Sequence, residues 1–505
     1  MKKRILAVIL LLGMLTTLLA ACGGKGVSPD KRMETNEIVI GIPQDFDSLD
    51  PHHMTAAGTK EVMFNVYEGL VKPTSDGKIV PAVASDVSVS DDGLTYTLKL
   101  RQGVKFHNGD TVEMQDVLYS LDRRMSGEDA AAKLAALDII TGVKGEGDTL
   151  TLTLGEPSGE FLAYLMNVYI VPADVSALDT NPVGTGPYKV ASRAAQDNLV
   201  LERFDDYWGE KGKLSKVTFK ILENAESLVL GLQSGALDLV SHMTSDQTSQ
   251  LAESDFDVAQ GSMNLVQALY LNNAEAPFDD VRVRQALCYA VDKQAVIDLA
   301  MDGHGTPVGT SMLSTLSRYA MPELADYYKP DAEKAKALLK EAGYENLSFT
   351  ITVPSNYASH VGTAQVLVEQ LKAAGVDAKI DLVDWTTWLT ETYQGRNFEA
   401  TVSGFDSHSL SATGCLARFQ SESGKNFINF RSADYDAAYA AAVASLNAEE
   451  QTALFKQCET ILAQTAANVY LQDMSTFAVM QSDVGGFVYY PALYIMDLAT
   501  LYRIG

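Results

Sequence analysis

The first 22 residues constrain this chain most, because they decide in which compartment it folds. Three basic residues at positions 2–4 precede a nearly uninterrupted apolar run, residues 5–20, and small residues then lead to Cys22. A secretory signal peptide has this same order of basic, apolar and then small residues. The run is short for a stable span of the roughly 30 Å hydrocarbon core. We therefore expect residues 1–21 to be a signal peptide and the folded body to lie outside the cytoplasm.

The end of this segment predicts an anchor. Leu19-Ala20-Ala21-Cys22 resembles the lipobox of bacterial lipoproteins, in which the peptide is cut just before the Cys and the thiol carries a diacylglycerol. The resemblance implies lipidation of Cys22 and attachment to the extracytoplasmic face of the cell membrane, which is periplasmic in a two-membrane envelope. The alternative is an ordinary signal peptide with a chance Cys. Residues 22–36 begin with a glycine-rich stretch and predict a flexible tether.

Length and composition predict a large body in two lobes. The chain has 505 residues, 47% of them hydrophobic, whereas single cores stop growing near roughly 250–300 residues. The formal net charge of −26 argues against nucleic acid as a partner. Cys288 and Cys458 fall in helical patterns, where a free thiol packs as a small hydrophobe, and the role of Cys415 stays open. No Cys-x-x-Cys occurs, so neither a zinc ribbon nor a redox pair is indicated.

Strand and helix patterns alternate along the chain, which predicts a mixed α/β fold. Strand patterns, with alternating apolar and polar residues, cover residues 37–42, 94–100 and 150–154. The helix patterns of residues 332–342 and 363–374 each stop at a glycine. The strand pattern of residues 376–382 follows the second helix directly, which is typical of a βαβ unit.

A set of motifs in fixed order identifies a family. The motifs are PAVASD (81–86), DDGLTYTLKLRQGVKFHNG (91–109), DVLYSL (116–121), GTGPYKV (184–190), YWG (207–209), LQSGALD (232–238), LYLN (269–272) and PFDDVRVRQAL (277–287). Together they resemble the oligopeptide-, dipeptide- and nickel-binding receptors of ABC importers, solute-binding protein family 5. The similarity covers nearly the whole chain after the signal peptide.

The resemblance implies a two-lobed α/β fold of the periplasmic-binding-protein kind, type II and like cluster C, with an extra subdomain in lobe I. The implied divisions are residues 37–271 and 474–505 for lobe I, roughly 80–165 for the extra subdomain, and 272–473 for lobe II. Two crossing strands, near residues 266–271 and 468–473, should join the lobes. Binding would then be hinge closure, in which the solute contacts both lobes.

The resemblance also implies a function. We expect a monomeric receptor without cofactor that captures a small peptide or peptide-like solute and delivers it to the transmembrane subunits of an ABC permease. The chain has no Gly-x-Ser-x-Gly, His-Glu-x-x-His or dinucleotide-binding motif, so catalysis is not indicated. A different class remains open: a surface lipoprotein without a transport role.

Ligand contacts are expected in a lobe II loop. In peptide-binding relatives an aspartate of this loop meets the α-ammonium of the peptide, and Asp406 is the nearest matching position. A carboxylate buried on closure needs a cation to offset its desolvation. Phe405, Trp385 and Trp388 are candidate apolar walls, at least one of the two Trp being core, and Arg418 could receive a ligand carboxylate. The alternatives are that Asp406 caps a local turn and that Arg418 is solvated.

A metal or metal-chelate receptor is the alternative within the same fold. His52, His53 and His408 lie in loops that should face the cleft, and imidazole suits nickel, copper or zinc. However, adjacent histidines on an extended chain point to opposite sides, so His52 and His53 cannot easily share one ion.

Overall fold

The structure is a computed structural model that describes residues 29–125, 132–251, 255–407, 409–491 and 493–504, the side chains of residues 29–31 excepted. The predicted signal peptide, Cys22 and His408 lie outside the described residues. Within those ranges, no helix combines the length and the apolar character that crossing a membrane requires.

Strands form the framework of both lobes. In chain order they are β1 (Glu37–Ile42), β2 (Val71–Pro73), β3 (Ile79–Pro81), β4 (Ala84–Val89), β5 (Thr95–Leu100), β6 (Ile140–Glu146), β7 (Thr149–Leu154), β8 (Tyr188–Ala194), β9 (Asn198–Arg203), β10 (Lys216–Ile221), β11 (Leu239–Met243), β12 (Phe256–Leu271), β13 (Gly305–Pro307), β14 (Ser348–Pro354), β15 (Asp377–Val383), β16 (Ala400–Asp406), β17 (Asn468–Gln481), β18 (Val484–Gly485) and β19 (Tyr502–Arg503).

Helices pack on the sheets and connect them. The α-helices are α1 (Pro29–Thr35), α2 (Ala57–Met63), α3 (Met114–Met125), α4 (Phe161–Leu165), α5 (Ala225–Gln233), α6 (Ser245–Thr248), α7 (Val281–Ala290), α8 (Lys293–Ala300), α9 (Ala332–Ala342), α10 (Ala358–Ala373), α11 (Trp385–Thr387), α12 (Ala412–Leu416), α13 (Ala433–Ala444) and α14 (Ala448–Gln464). A π-helical turn covers Trp388–Gln394, and 3₁₀ turns cover Ala135–Leu137, Pro322–Asp326 and Ala417–Phe419.

One sheet runs through both lobes. Its strand order is β15-β14-β16-β12-β17-β11-β1-β10-β9-β8, and β13 pairs with β17 beside this path. The two long antiparallel strands β12 and β17 lie in the middle and join the lobes. Their pairing shifts register between Ser262 and Val266, so the ladder is interrupted where the chain changes lobe. The βαβ unit that the sequence predicts consists of strand β14, helix α10 and strand β15, and its two strands are parallel.

Separate hydrophobic cores lie on either side of this register shift. Ile40 and Phe219 belong to the main core of lobe I, and Phe256 packs in a smaller core beside it. Val266, however, already packs in a core of lobe II, and so does Tyr270. The change of core therefore falls between Phe256 and Val266, a few residues before the lobe boundary that we expect from the resemblance.

A buried carboxylate ties the crossing strands together. Asp473 on β17 is 1% exposed. One of its oxygens accepts hydrogen bonds from Ser262 Oγ (2.6 Å) and the Leu265 N–H (3.3 Å), both on β12. The other accepts from the N–H (3.0 Å) and Oγ (2.7 Å) of Ser314 in lobe II. Burial raises the pKa of Asp473, and the four donors oppose that rise.

The extra subdomain contains a separate sheet, in the order β4-β5-β7-β6, against which α3 packs. The tether prediction needs a correction, because its second half is the helix α1. Arg32 of this helix is 4% exposed, and its guanidinium lies 3.0 Å from the carboxylate of Asp238. Arg32 also donates to the carbonyl oxygen of Gly235 (2.7 Å), so buried contacts of one arginine hold a short polar sequence here, which composition alone does not reveal.

Candidate functional site

In lobe II, three parallel strands end at one edge of the sheet. Strand β14 pairs in parallel with both β15 and β16. Their carboxyl ends therefore bring together Tyr357, which follows β14, Trp385, which follows β15, and Asp406, the last residue of β16. In open α/β sheets, ligands bind in the crevice outside the carboxyl ends of the strands. The sequence candidates Trp385 and Asp406 thus lie at the edge where a ligand is expected, and both are exposed.

The two tryptophans have different places. Trp385 is 41% exposed and stands edge-on to Tyr357, with ring centroids 5.5 Å apart. Trp388 is 2% exposed and stacks behind Trp385 at 5.1 Å, and its Nε1 donates a hydrogen bond to Thr401 Oγ1 (2.9 Å). The prediction of Trp388 as a ligand wall is therefore corrected: it is the buried support of Trp385, because its indole N–H has an internal partner.

Phe405 and Arg418 interact with each other. Phe405 is half-buried and contacts the rings of Tyr270 (5.1 Å) and Phe427 (5.2 Å). The guanidinium carbon of Arg418 lies 3.9 Å from the Phe405 ring centroid, a cation–π contact. The cavity beside Asp406 and Arg418 holds about 10 Å³, which is room for about one water molecule. A ligand carboxylate could reach Arg418 only if neighbouring side chains moved.

In lobe I, an ion pair lies at the end of β11. His242 Nε2 is 2.9 and 3.0 Å from the two oxygens of Glu61 on α2. Burial alone would lower the pKa of His242, but the charge and hydrogen bonding of Glu61 outweigh it and raise the pKa. His242 has a φ of 58°, and the β11–β17 register shifts at this point. A non-glycine residue in the left-handed region is a strained feature that accumulates at functional sites.

Tyr494 connects the two lobes electrostatically. Its ring stands edge-on to His242 at 5.5 Å, and its hydroxyl donates to the carbonyl oxygen of Met263 on β12 (2.7 Å). Burial raises the pKa of Tyr494, and the negative charges of Asp406, Glu61 and Asp473 add to that rise. Met263 lies two residues before Leu265, which pairs with Asp406 on β16, so the Tyr494 hydroxyl of lobe I lies near the strand end that carries Asp406.

A cavity of about 730 Å³ begins at Tyr494 and extends through lobe I. Its volume lies within the range of about 300–1,000 Å³ for small-molecule sites. Its lining includes the aromatic side chains of Phe64, Tyr67, Tyr169, Tyr207, Trp208 and Tyr490. Buried Glu68 accepts hydrogen bonds from Lys72, Tyr207, and Trp208 Nε1 at 2.7–3.0 Å. The cavity thus combines aromatic walls with charged residues of both signs, among them Lys60, Lys213, Glu210 and Asp497.

Sequence reasoning missed Glu61, His242 and Tyr494. Glu61 and His242 are 181 positions apart, and no motif marks either residue. A signal that could have pointed to Tyr494 is the aromatic-rich sequence from Phe487 to Tyr494.

The histidines do not assemble a metal site within the described residues. His52 is 2% exposed, and its Nε2 lies 2.9 Å from the carbonyl oxygen of Tyr169. Burial and the charges of Arg123 and Arg124 lower the pKa of His52 to about 3. His53 Nδ1 instead lies 3.4 Å from Asp50. The described ranges contain no group of three or more His, Cys, Asp or Glu able to hold a metal ion, and two adjacent arginines disfavour a cation.

Cys415 is buried, and burial raises the pKa of its thiol to about 11. The thiol therefore stays protonated at neutral pH, and a nucleophilic or ligating role has no support.

Comparison with known proteins identifies one family. Residues 78–427 match the family described as bacterial extracellular solute-binding proteins, family 5. The glutathione-binding protein GsiB of Pectobacterium atrosepticum is 31% identical over 366 residues, which are 69% of each chain. The GsiB protein of Salmonella paratyphi A is 27% identical over 474 residues, covering 88% of this chain and 90% of that protein.

Solved structures share the fold. The periplasmic binding protein DppA of Helicobacter pylori, in complex with the peptide STSA, has a TM-score of 0.73 at 25% identity, covering 93% of this chain and 98% of that one. The ABC transporter substrate-binding protein CtaP of Listeria monocytogenes has a TM-score of 0.81 at 24% identity, covering 93% and 99%. These similar proteins are solute-binding proteins of ABC transporters, not enzymes.

Proposed function

Because the chain belongs to family 5 of the bacterial extracellular solute-binding proteins, we propose that it captures a small peptide or peptide-like solute between its lobes and delivers it to an ABC permease. The observation that carries this proposal is the pair of facing edges. Asp406 ends β16 and Trp385 follows β15 in lobe II, while Tyr494 of lobe I donates to Met263 on β12, two residues before the partner of Asp406. A solute bound there would favour the closed arrangement by contacting both.

Asp406 is proposed to bind the amine of the solute. It is exposed at the end of β16, next to Phe405, and closure of the lobes over this strand end would remove water from it. An ammonium would then offset the cost of burying the carboxylate. The peptide named with the DppA structure and the glutathione named for the GsiB proteins both carry a primary amine, which is why we place the ligand in this class.

The test is Asp406→Asn, which keeps the shape and removes the charge. Leaving a buried ammonium without its partner costs about 3–5 kcal/mol, so affinity should fall at least about a hundredfold. Binding of glutathione and a random tripeptide library is measured as the ligand-induced rise in Tm. The matched control is Asp381→Asn, an exposed aspartate on β15. If Asp406→Asn keeps the full ligand-induced rise in Tm, Asp406 caps a local turn and does not bind the amine of the solute.

Membrane attachment is proposed to occur through lipidated Cys22. Changing Cys22 to Ala should then release the protein from the membrane fraction without changing its Tm, because the folded body begins downstream. An unchanged membrane-bound pool in fractionated cells would contradict the anchor.

A further inference from the structure

The lobes also touch outside the crossing strands, through the extra subdomain of lobe I. Gly93 and Gly159 of this subdomain have no room for a Cβ, because Leu446 and the carbonyl oxygen of Ser445 in lobe II lie against them. Leu410, in the loop that follows β16, packs against hydrophobic cores of both lobes. These residues form a second interface between the lobes, which we call the subdomain contact.

A glutamate is buried in the subdomain contact. Glu160 directly precedes α4 and is 6% exposed. Both of its carboxyl oxygens are buried, and among the described residues neither has a hydrogen-bond partner. The hydroxyls of Ser411 and Thr413, at the start of α12 in lobe II, act on this carboxyl group but bond to each other. A buried carboxylate without hydrogen bonds is costly, whereas the neutral carboxylic acid has no charge to desolvate.

The titratable groups around Glu160 do not offset this cost. Tyr164 of α4 and Tyr319 and Tyr439 of lobe II have pKa values raised by burial, and the charge of Glu160 adds to each rise. Their hydroxyls are therefore neutral at neutral pH. Arg318 of lobe II donates two hydrogen bonds to α14 instead (2.7 and 2.9 Å). Burial accordingly raises the pKa of Glu160, and the donors at the start of α12 oppose that rise.

We propose that Glu160 is a proton-dependent latch, which enters the subdomain contact as the neutral acid when the lobes close and ionises in water when they open. Ser411 and Thr413 belong to lobe II, so opening removes them from Glu160. Because the closed form keeps a proton that the open form releases, closure should weaken as pH rises above about 4.5, the ordinary pKa of a glutamate. One proton changes the closure equilibrium by up to about tenfold per pH unit. The inference rests on the proposed lobe closure and adds its regulation by pH.

The experiment measures the radius of gyration by small-angle X-ray scattering from about pH 5 to about pH 8, without added solute and at constant ionic strength. It compares wild type, Glu160→Gln, which is neutral at every pH, and the matched control Glu156→Gln, which changes an exposed glutamate of the same segment. Other buried acids, such as Asp473, titrate in all three proteins, so the differences between them isolate Glu160. Wild type and Glu156→Gln should expand as pH rises, and Glu160→Gln should lose most of this expansion.

Equal expansion of wild type and Glu160→Gln, or no expansion of either, overturns the latch. If Glu160→Gln does not fold, Thr413→Asp replaces it: a second carboxylate at Glu160 should expand the protein at pH 7, and an unchanged radius of gyration overturns the latch. The rise in Tm with the tripeptide library tests the proposed function separately. A rise without pH-dependent expansion leaves that function standing, whereas expansion that Glu160→Gln removes, in a protein whose Tm no peptide raises, supports the latch and contradicts the ligand class.

Discussion

Asp473 offers a direct test of how the two lobes are joined, because its carboxylate holds both crossing strands and a lobe II loop. In Asp473→Ala, the N–H groups of Leu265 and Ser314 lose their acceptor, while the hydroxyls of Ser262 and Ser314 can turn elsewhere. An unsatisfied buried donor costs about 1–3 kcal/mol. Two such donors should reduce the free energy of unfolding by about 2–6 kcal/mol.

Asp473→Asn should be much milder. The amide oxygen can keep the two Ser314 bonds, and the amide NH₂ can donate to Ser262 Oγ, which leaves only the long Leu265 bond unmade. Burial raises the pKa of Asp473, so the ionised group is costly at neutral pH and the neutral amide recovers part of that cost. We expect a loss of about 1–2 kcal/mol.

Urea denaturation at pH 7, followed by circular dichroism, measures both losses, with Ser314→Ala as the control that removes one hydroxyl and keeps its N–H. A loss below about 1 kcal/mol in Asp473→Ala would refute this reasoning. Equal losses in Asp473→Asn and Asp473→Ala would also refute it, since the hydrogen-bond geometry distinguishes them.

Two further substitutions test the protonation of buried Glu459 and the packing of Trp388 behind Trp385. Burial raises the pKa of Glu459 to about 8, so the folded protein keeps a proton that the unfolded chain releases, and stability should fall as pH rises from about 4.5 to 8. Glu459→Gln should remove this fall and be more stable than wild type by up to about 4 kcal/mol at pH 8, with no gain at pH 4. The control is Glu449→Gln, which changes an exposed glutamate. Parallel profiles of unfolding free energy against pH for wild type and Glu459→Gln would contradict the prediction. Trp388→Ala should lose about 3–5 kcal/mol in urea denaturation and weaken ligand binding by freeing Trp385; a loss below about 1 kcal/mol would show that Trp388 is not core.

Local patterns predicted the elements that depend on local sequence. Strand β1 and helix α9 have the predicted bounds, and the glycine after α9 has a φ of 85°, the left-handed conformation that stops a helix. Helix α10 begins at Ala358, five residues before the predicted start. His360 and Gly362 lie among its first five residues and interrupt the apolar periodicity, so the sequence pattern places the start of the helix too late.

Asp406 was proposed from the family resemblance and Trp385 as an apolar wall of the same lobe. The structure brings both to one edge of the sheet, because β14 pairs in parallel with the strands that precede or carry them. Tyr494 could not be found in this way, because the cavity that it lines is built from segments far apart in the sequence. The hydrogen bond from Asn65 to Met496, for example, joins residues 431 positions apart. Trp388 differs from Trp385 only in the side of the turn that it occupies, and sequence pattern does not resolve this.

The most direct test of the account is native mass spectrometry of protein purified without refolding, with the released solute fragmented and identified. The account predicts one bound solute that carries a primary amine, retained by wild type and lost in Asp406→Asn. A released metal chelate or sugar without a primary amine, or the same solute retained at full occupancy in Asp406→Asn, would contradict it.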